Sequence, residues 1–529
     1  MHLLEKLWVR FDGWFLGLLV FLAVYFGFLI FNLSYMSMQW DEVSHFTGGL
    51  LLMRGQLWEY FLTSSFYPPI FNLGTAAYFV VGGASVFAGR LVAVTFSLLS
   101  VVVVFLIGRR MFGSKTGILS SVLFGIMPGI VWLSRMAMIE TMLIFVFSLS
   151  MFFFFRWLQT SSERDRILSI VALAVGVIVK YQVIVVAPIV MLIGAFLWKR
   201  EFVKTQISSF MKFKFLLIAV VSIVIGLVAL YELYASGLLE TLIYSIQVGT
   251  TERSIYSMRF PVPLFYFIEM VWPYSNMHPI SPLLYILSLF GLGLFAFSRK
   301  AEDKFLLLWF VIVYLVFTAI PNRDWRYVTL LFPVMAIAAS NFIIKSLEKT
   351  KMTWHCSNSH LDKRLLAKVT AIFLMAVTIV GIFYSCQDAY SWVARDQIQV
   401  PIEQATEYAG QNIIGNESIV VVFPLNYLNE YMVWFYLNAK SASPNEVWQY
   451  PHLAVDSYTQ NLNTTEFIGL CQQKNAKYIF LYENGAAATY FNTSLTSSDI
   501  CTTLENTGKF VPDNIFGESP HRIFVMSFR

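Results

Sequence analysis

The string Gln39-Trp40-Asp41-Glu42-Val43-Ser44-His45 follows directly on a long apolar run. Adjacent carboxylates repel each other and are costly to desolvate, so a purely apolar architecture gains nothing from them. In a helix, Asp41 and His45 stand four residues apart and share a face, while Glu42 points elsewhere. Such a face offers a base and a partner. Equally, Asp41 is a residue type that caps a helix, with Glu42 favourable in its first turn. Another acid, Glu140, lies in Ser134-Arg135-Met136-Ala137-Met138-Ile139-Glu140 at the start of an apolar segment, where a carboxylate faces a cavity or a partner. Arg135 is too far along the turn to pair with it well.

Basic residues are scarce on the same side of the apolar segments: Arg135, Lys180, Arg253, Arg259, Arg323 and Arg326. Cations at that depth suit a phosphate, and Lys180 and Arg326 are the best placed; snorkelling to lipid headgroups is the alternative. Trp272-Pro-Tyr-Ser-Asn-Met-His278 adds aromatics able to stack on a sugar or to anchor in the bilayer. Asp41, Glu42, Glu140, His45 and His278 could together hold a divalent cation, although no ligand spacing demands one.

The elements that must position these groups follow from composition. Of 529 residues, 57% are AVILMFWYC and only 13% are DEKR, which excludes a soluble enzyme and points to a polytopic membrane protein. An excess of 37 Lys+Arg over 32 Asp+Glu is too small for nucleic-acid binding. Alternate loops carry 22 and 7 Lys+Arg, so the first set is assigned to the cytoplasm. Eleven spans are expected, near 14–34, 90–108, 117–133, 138–155, 167–180, 182–198, 215–234, 281–298, 305–320, 327–344 and 369–386. The amino terminus is then inside and the carboxyl terminus outside the cell membrane, with 70–85 as an interfacial helix.

Residues 1–390 therefore read as a transmembrane domain with outer loops 35–85 and 235–280. Residues 391–529 read as a small extracytoplasmic α/β domain, with strands at 419–423, 477–482 and 522–527 and helices at 402–412 and 464–475. Cys471 and Cys501 in that tail could pair on an oxidising side.

An ordered set of pieces resembles the GT-C superfamily of polyprenyl-phosphate-sugar glycosyltransferases, in particular the protein O-mannosyltransferase and aminoarabinose-transferase group. They are Asp41-Glu42, Tyr67-Pro68-Pro69-Ile70, Gly89-Arg90-Leu91, Arg109-Arg110-Met111-Phe112-Gly113, Ser134-Arg135-x-Ala137-Met138-x-Glu140, Val179-Lys180-Tyr181 and Arg326-Tyr327. Aminoarabinose transferases carry Lys where this chain has Tyr67, and the tail lacks the β-trefoil repeats of eukaryotic protein mannosyltransferases.

The resemblance implies an inverting transferase that moves a mannose-like sugar from a polyprenyl or dolichyl phosphate to a glycan, lipid or protein hydroxyl at the outer face. It implies Asp41 as general base, with Glu42 and Glu140 as further acids. Arg135, Lys180, Arg326 and Tyr327 would hold the donor phosphate, and His45, Tyr67 and His278 would touch substrate. A sugar already on phosphate needs no nucleotide site, and no Gly-x-Gly-x-x-Gly or P-loop string is present. The alternatives are a transporter or flippase, which should show paired interrupted helices in two halves, and a non-catalytic surface assembly protein.

Overall fold

The computed structural model describes residues 13–63, 68–180, 183–201, 203–204, scattered positions from 231 to 247, 258–273, 278–355, 361–395, 398–423, 427–441, 445–451, 462–483 and 495–529. It divides into two units. One comprises residues 1–31, 61–71 and 93–394; the other comprises 32–60, 72–92 and 395–529.

The first unit is helical. Its elements begin with α1 (Gly13–Ile30), and continue, after α2 (Trp40–Met53), α3 (Leu57–Thr63) and α4 (Pro69–Gly82), with α5 (Val86–Phe112), α6 (Ser114–Gly125), α7 (Pro128–Arg135), α8 (Ile139–Thr160), α9 (Glu163–Val179) and α10 (Val183–Trp198). Then come a short α11 (Phe265–Glu269), α12 (Pro282–Phe297), α13 (Ala301–Ala319), a 3-10 helix (Trp325–Leu331), α14 (Phe332–His355) and α15 (Leu361–Arg395). Helices α2 and α4, with the ends of α3 and α5, belong to the other unit.

Among the described residues five helices are long and apolar enough to cross a membrane, or six if one bent pair counts as a span. That pair corrects the expected straight span at 117–133. Helices α6 and α7 meet at 62°, because Pro128 occupies the first turn of α7 and has no amide hydrogen with which to continue α6. The expected spans at 167–180, 182–198, 281–298 and 305–320 fall on α9, α10, α12 and α13, which are shorter or more charged. The expected span at 215–234 falls almost wholly outside the described residues.

The second unit contains a five-stranded sheet, formed by β1 (Ser418–Val422), β2 (Val447–Tyr450), β3 (Ala476–Tyr482), β4 (Phe510–Phe516) and β5 (Ile523–Phe528), in the order β2-β1-β3-β5-β4. Strand β1 runs parallel to β2 and β3, and β5 runs antiparallel to β3 and β4. Every residue of β1 is buried, as a central parallel strand covered on both faces requires. Helices α16 (Ile402–Asn412), α17 (Glu430–Ala439), α18 (Thr464–Gln473) and α19 (Ser497–Glu505) complete the tail.

The first outer loop was expected to go with the transmembrane domain. It packs instead with the tail. Phe46 on α2, Phe79 on α4 and Phe435 on α17 form one ring cluster, with centroids 5.5–6.3 Å apart. The Ser37 amide donates to the Ile398 carbonyl at 3.0 Å, and the Val400 amide donates to the Ser37 hydroxyl at 2.6 Å. Arg54 donates to the carbonyls of Asn438 and Ser441. Cys471 and Cys501 are free thiols.

Candidate active site

Gln39, not Asp41, is the N-cap of α2, and the Glu42 carboxylate reaches back to the Gln39 amide at 3.1 Å. The capping explanation for Asp41 therefore falls away: Asp41 sits inside the first turn and is half-buried. Glu42 has a different task from the catalytic one expected of it. It is fully buried, and its oxygens accept from Arg90 Nε at 2.8 Å and Nη2 at 2.7 Å.

The rest of the Arg90 fork is also used. Nη1 donates to the carbonyls of Leu33 and Met36 at 2.8 and 2.9 Å, and Nη2 to that of Ser37 at 3.1 Å. All five guanidinium hydrogens thus have acceptors, as a buried arginine demands. A Cβ on the preceding Gly89 would stand 2.0 Å from the Phe46 ring, so only glycine lets α5 approach α2 this closely. His45 is buried, with Nδ1 2.7 Å from Asn72 Oδ1, and Asn72 donates to the Tyr60 hydroxyl at 3.2 Å. That contact orients α2 on α4 through the ring of His45, the residue expected to touch substrate.

In the helical unit, residues far apart in sequence meet. Lys180, at the end of α9, donates to Glu140 Oε1 at 2.9 Å, and both side chains are largely buried, 12% and 5% exposed. The Lys180 ammonium lies 5.1 Å from the centre of the Tyr327 ring. Arg326 acts on the same Glu140 electrostatically. Its guanidinium grips Asp324 with Nε and Nη2 each at 3.2 Å, and Asp324 also caps the 3-10 helix by accepting from the Arg326 amide at 2.9 Å. Asp324 was not singled out in the sequence, although its place before a short turn was a cap signal.

Two residues expected at the site make their described contacts elsewhere. Arg135 Nη1 donates to the carbonyls of Phe28, Leu29 and Phe31 at 2.7–3.1 Å, satisfying the end of α1 as a basic side chain does at a helix C-terminus. His278 Nδ1 is engaged by the Val271 carbonyl within its own loop. Tyr67 lies outside the described residues. Among the described residues no group of three or more His, Cys, Asp or Glu could hold a metal ion. Of the five acids and histidines considered for one, Glu42 meets Arg90, His45 meets Asn72, Glu140 meets Lys180 and His278 meets Val271.

A family model described as dolichyl-phosphate-mannose-protein mannosyltransferase matches residues 67–235. ArnT from Cupriavidus metallidurans in the apo state aligns over 97% of this chain and 98% of its own, at 13% identity and TM-score 0.59. The fold is that of the GT-C glycosyltransferases. The same ArnT bound to undecaprenyl phosphate aligns over 98% of both chains, at 14% identity and TM-score 0.54. The archaeal oligosaccharyltransferase AglB from Archaeoglobus fulgidus, in complex with an inhibitory peptide and a dolichol-phosphate, aligns over 97% of this chain and 74% of its own, at 10% identity and TM-score 0.58. No curated protein matches by sequence.

Proposed function

We propose that this GT-C chain transfers a monosaccharide, mannose by the name of the matching family model, from a polyprenyl or dolichyl phosphate to a hydroxyl acceptor. The transfer takes place at the outer face of the cell membrane, where the tail also lies, with the amino terminus cytoplasmic. The undecaprenyl phosphate in ArnT and the dolichol-phosphate in AglB support this class of donor. The observation that carries the reading is the convergence of Glu140, Lys180, Arg326 and Tyr327 from three separate elements.

In the proposed reaction an Asp41 carboxylate oxygen takes the proton of the acceptor hydroxyl as the acceptor oxygen bonds to the anomeric carbon from the face opposite the phosphate. The bond from that carbon to the phosphate oxygen breaks, and the lipid phosphate leaves with the electron pair. Lys180 and Arg326, held ready by Glu140 and Asp324, lower the barrier by stabilising the charge that builds on the leaving oxygen. The anion shares cations that the two carboxylates have already oriented, so little reorganisation accompanies its arrival.

Asp41→Asn tests the assignment. In purified membranes carrying a polyprenyl-phosphate-sugar donor it should lower transfer by about 100-fold or more, the usual contribution of a general base, with expression and melting temperature close to wild type. Activity within a few-fold of wild type would end the general-base role of Asp41.

A further inference from the structure

Helix α11 brings Tyr266 into the cluster around Asp324. Tyr266 is fully buried, and Asp324, Tyr327 and Arg323 are its ionisable neighbours. Two other tyrosines nearby satisfy their hydroxyls: Tyr314 donates to the Pro263 carbonyl at 2.6 Å and Tyr285 to that of Phe267 at 2.7 Å. The Tyr266 ring meets that of Tyr314 edge-on at 6.2 Å, but its hydroxyl hydrogen finds no acceptor among the described residues. The Asp324 amide approaches the oxygen, and an amide can only donate, so it does not take the hydroxyl hydrogen.

A buried polar group left unsatisfied is destabilising, and phenylalanine would fill the same space without that cost. Burial, and then the Asp324 carboxylate beside it, hold the phenol well above its ordinary pKa, so it remains a neutral donor at neutral pH. Its hydrogen therefore suits an acceptor brought in from outside the protein. The neighbouring cation Arg323 favours an anionic acceptor.

We propose that Tyr266 is a further donor-binding residue, whose hydroxyl donates a hydrogen bond to an anionic oxygen of the lipid-linked phosphate. This rests on the donor class proposed above, but not on Asp41 or on any transfer step. The full chain in lipid nanodiscs is titrated with undecaprenyl phosphate, which carries no sugar, and affinity is read from the shift in melting temperature.

Tyr266→Phe should melt at or above the wild-type temperature without ligand, yet bind the lipid phosphate about tenfold more weakly, the effect of losing one hydrogen bond to a charged group. Tyr285→Phe, which strands the Phe267 carbonyl, should melt lower and bind normally. Tyr266→Phe binding as tightly as wild type, or melting lower in the manner of Tyr285→Phe with unchanged affinity, overturns the assignment and leaves the donor class standing. Failure of the wild-type protein to bind undecaprenyl phosphate overturns both.

Discussion

Arg90→Met separates the two adjacent acids of α2 by what each does. The substitution leaves the Glu42 carboxylate buried at 0% exposure without its guanidinium, and takes the side-chain donors from the carbonyls of Leu33, Met36 and Ser37. Removing one partner of a buried ion pair costs about 3–5 kcal/mol. At about 2–4 °C per kcal/mol for a domain of this class, the melting temperature should fall by on the order of 10 °C. Asp41→Asn takes a favourable charge from the first turn of a helix, worth about 0.3–1 kcal/mol.

The assay is thermal unfolding of the purified chain in one detergent, with sugar transfer measured in parallel. Arg90→Met should lose stability and activity together, whereas Asp41→Asn should lose activity alone. Combining Glu42→Met with Arg90→Met should cost less than the sum of the single changes, because no unpaired charge then remains buried. An Arg90→Met protein as stable as wild type would refute the claim that this pair holds the segment carrying Asp41.

Other outcomes follow from the same geometry. Lys180→Met should weaken binding of the donor phosphate by about tenfold or more, as loss of a charge-assisted contact does; titration with undecaprenyl phosphate measures it, and a change in protein yield alone would leave Lys180 only its structural pairing with Glu140. Glu430 at the start of α17 is pushed up to about 7 by burial. Because its folded value lies above the unfolded one, the stability linked to it is complete below the ordinary carboxylate range and is lost as pH rises through about 7. Glu430→Gln should flatten that dependence between pH 5 and 8 and raise stability at pH 8, as chemical unfolding across pH would show.

Local pattern made much of this fold legible. Charge-poor runs marked α1, α5, α8 and α15, and the apolar run Ile419–Phe423 and the Lys477–Tyr482 run announced the middle of the tail sheet. Strands β2 and β4 escaped because they are edges: Val447-Trp-Gln-Tyr is short, and β4 carries Pro512, Asp513 and Asn514, which only an edge tolerates. At the site, residue type left a cavity or a partner open for Glu140, and Lys180, which it meets, lies 40 positions away, where no helical spacing could supply it. Glu42 was misread for the same reason. Its counterion stands 48 residues on, inside the quoted Gly89-Arg90-Leu91 string. An arginine at the mouth of an apolar helix is itself the signal that a buried acid must be sought.

The ring cluster of Phe46, Phe79 and Phe435 has a consequence for biosynthesis. The first two rings leave the ribosome early, and the third follows only after nearly all the helices have been made. At about 5–20 residues per second, tens of seconds separate them. During that interval the nascent first loop presents a bare nonpolar surface that lipid or a chaperone must shelter. The segment bearing Asp41 therefore reaches its final environment only near the end of translation.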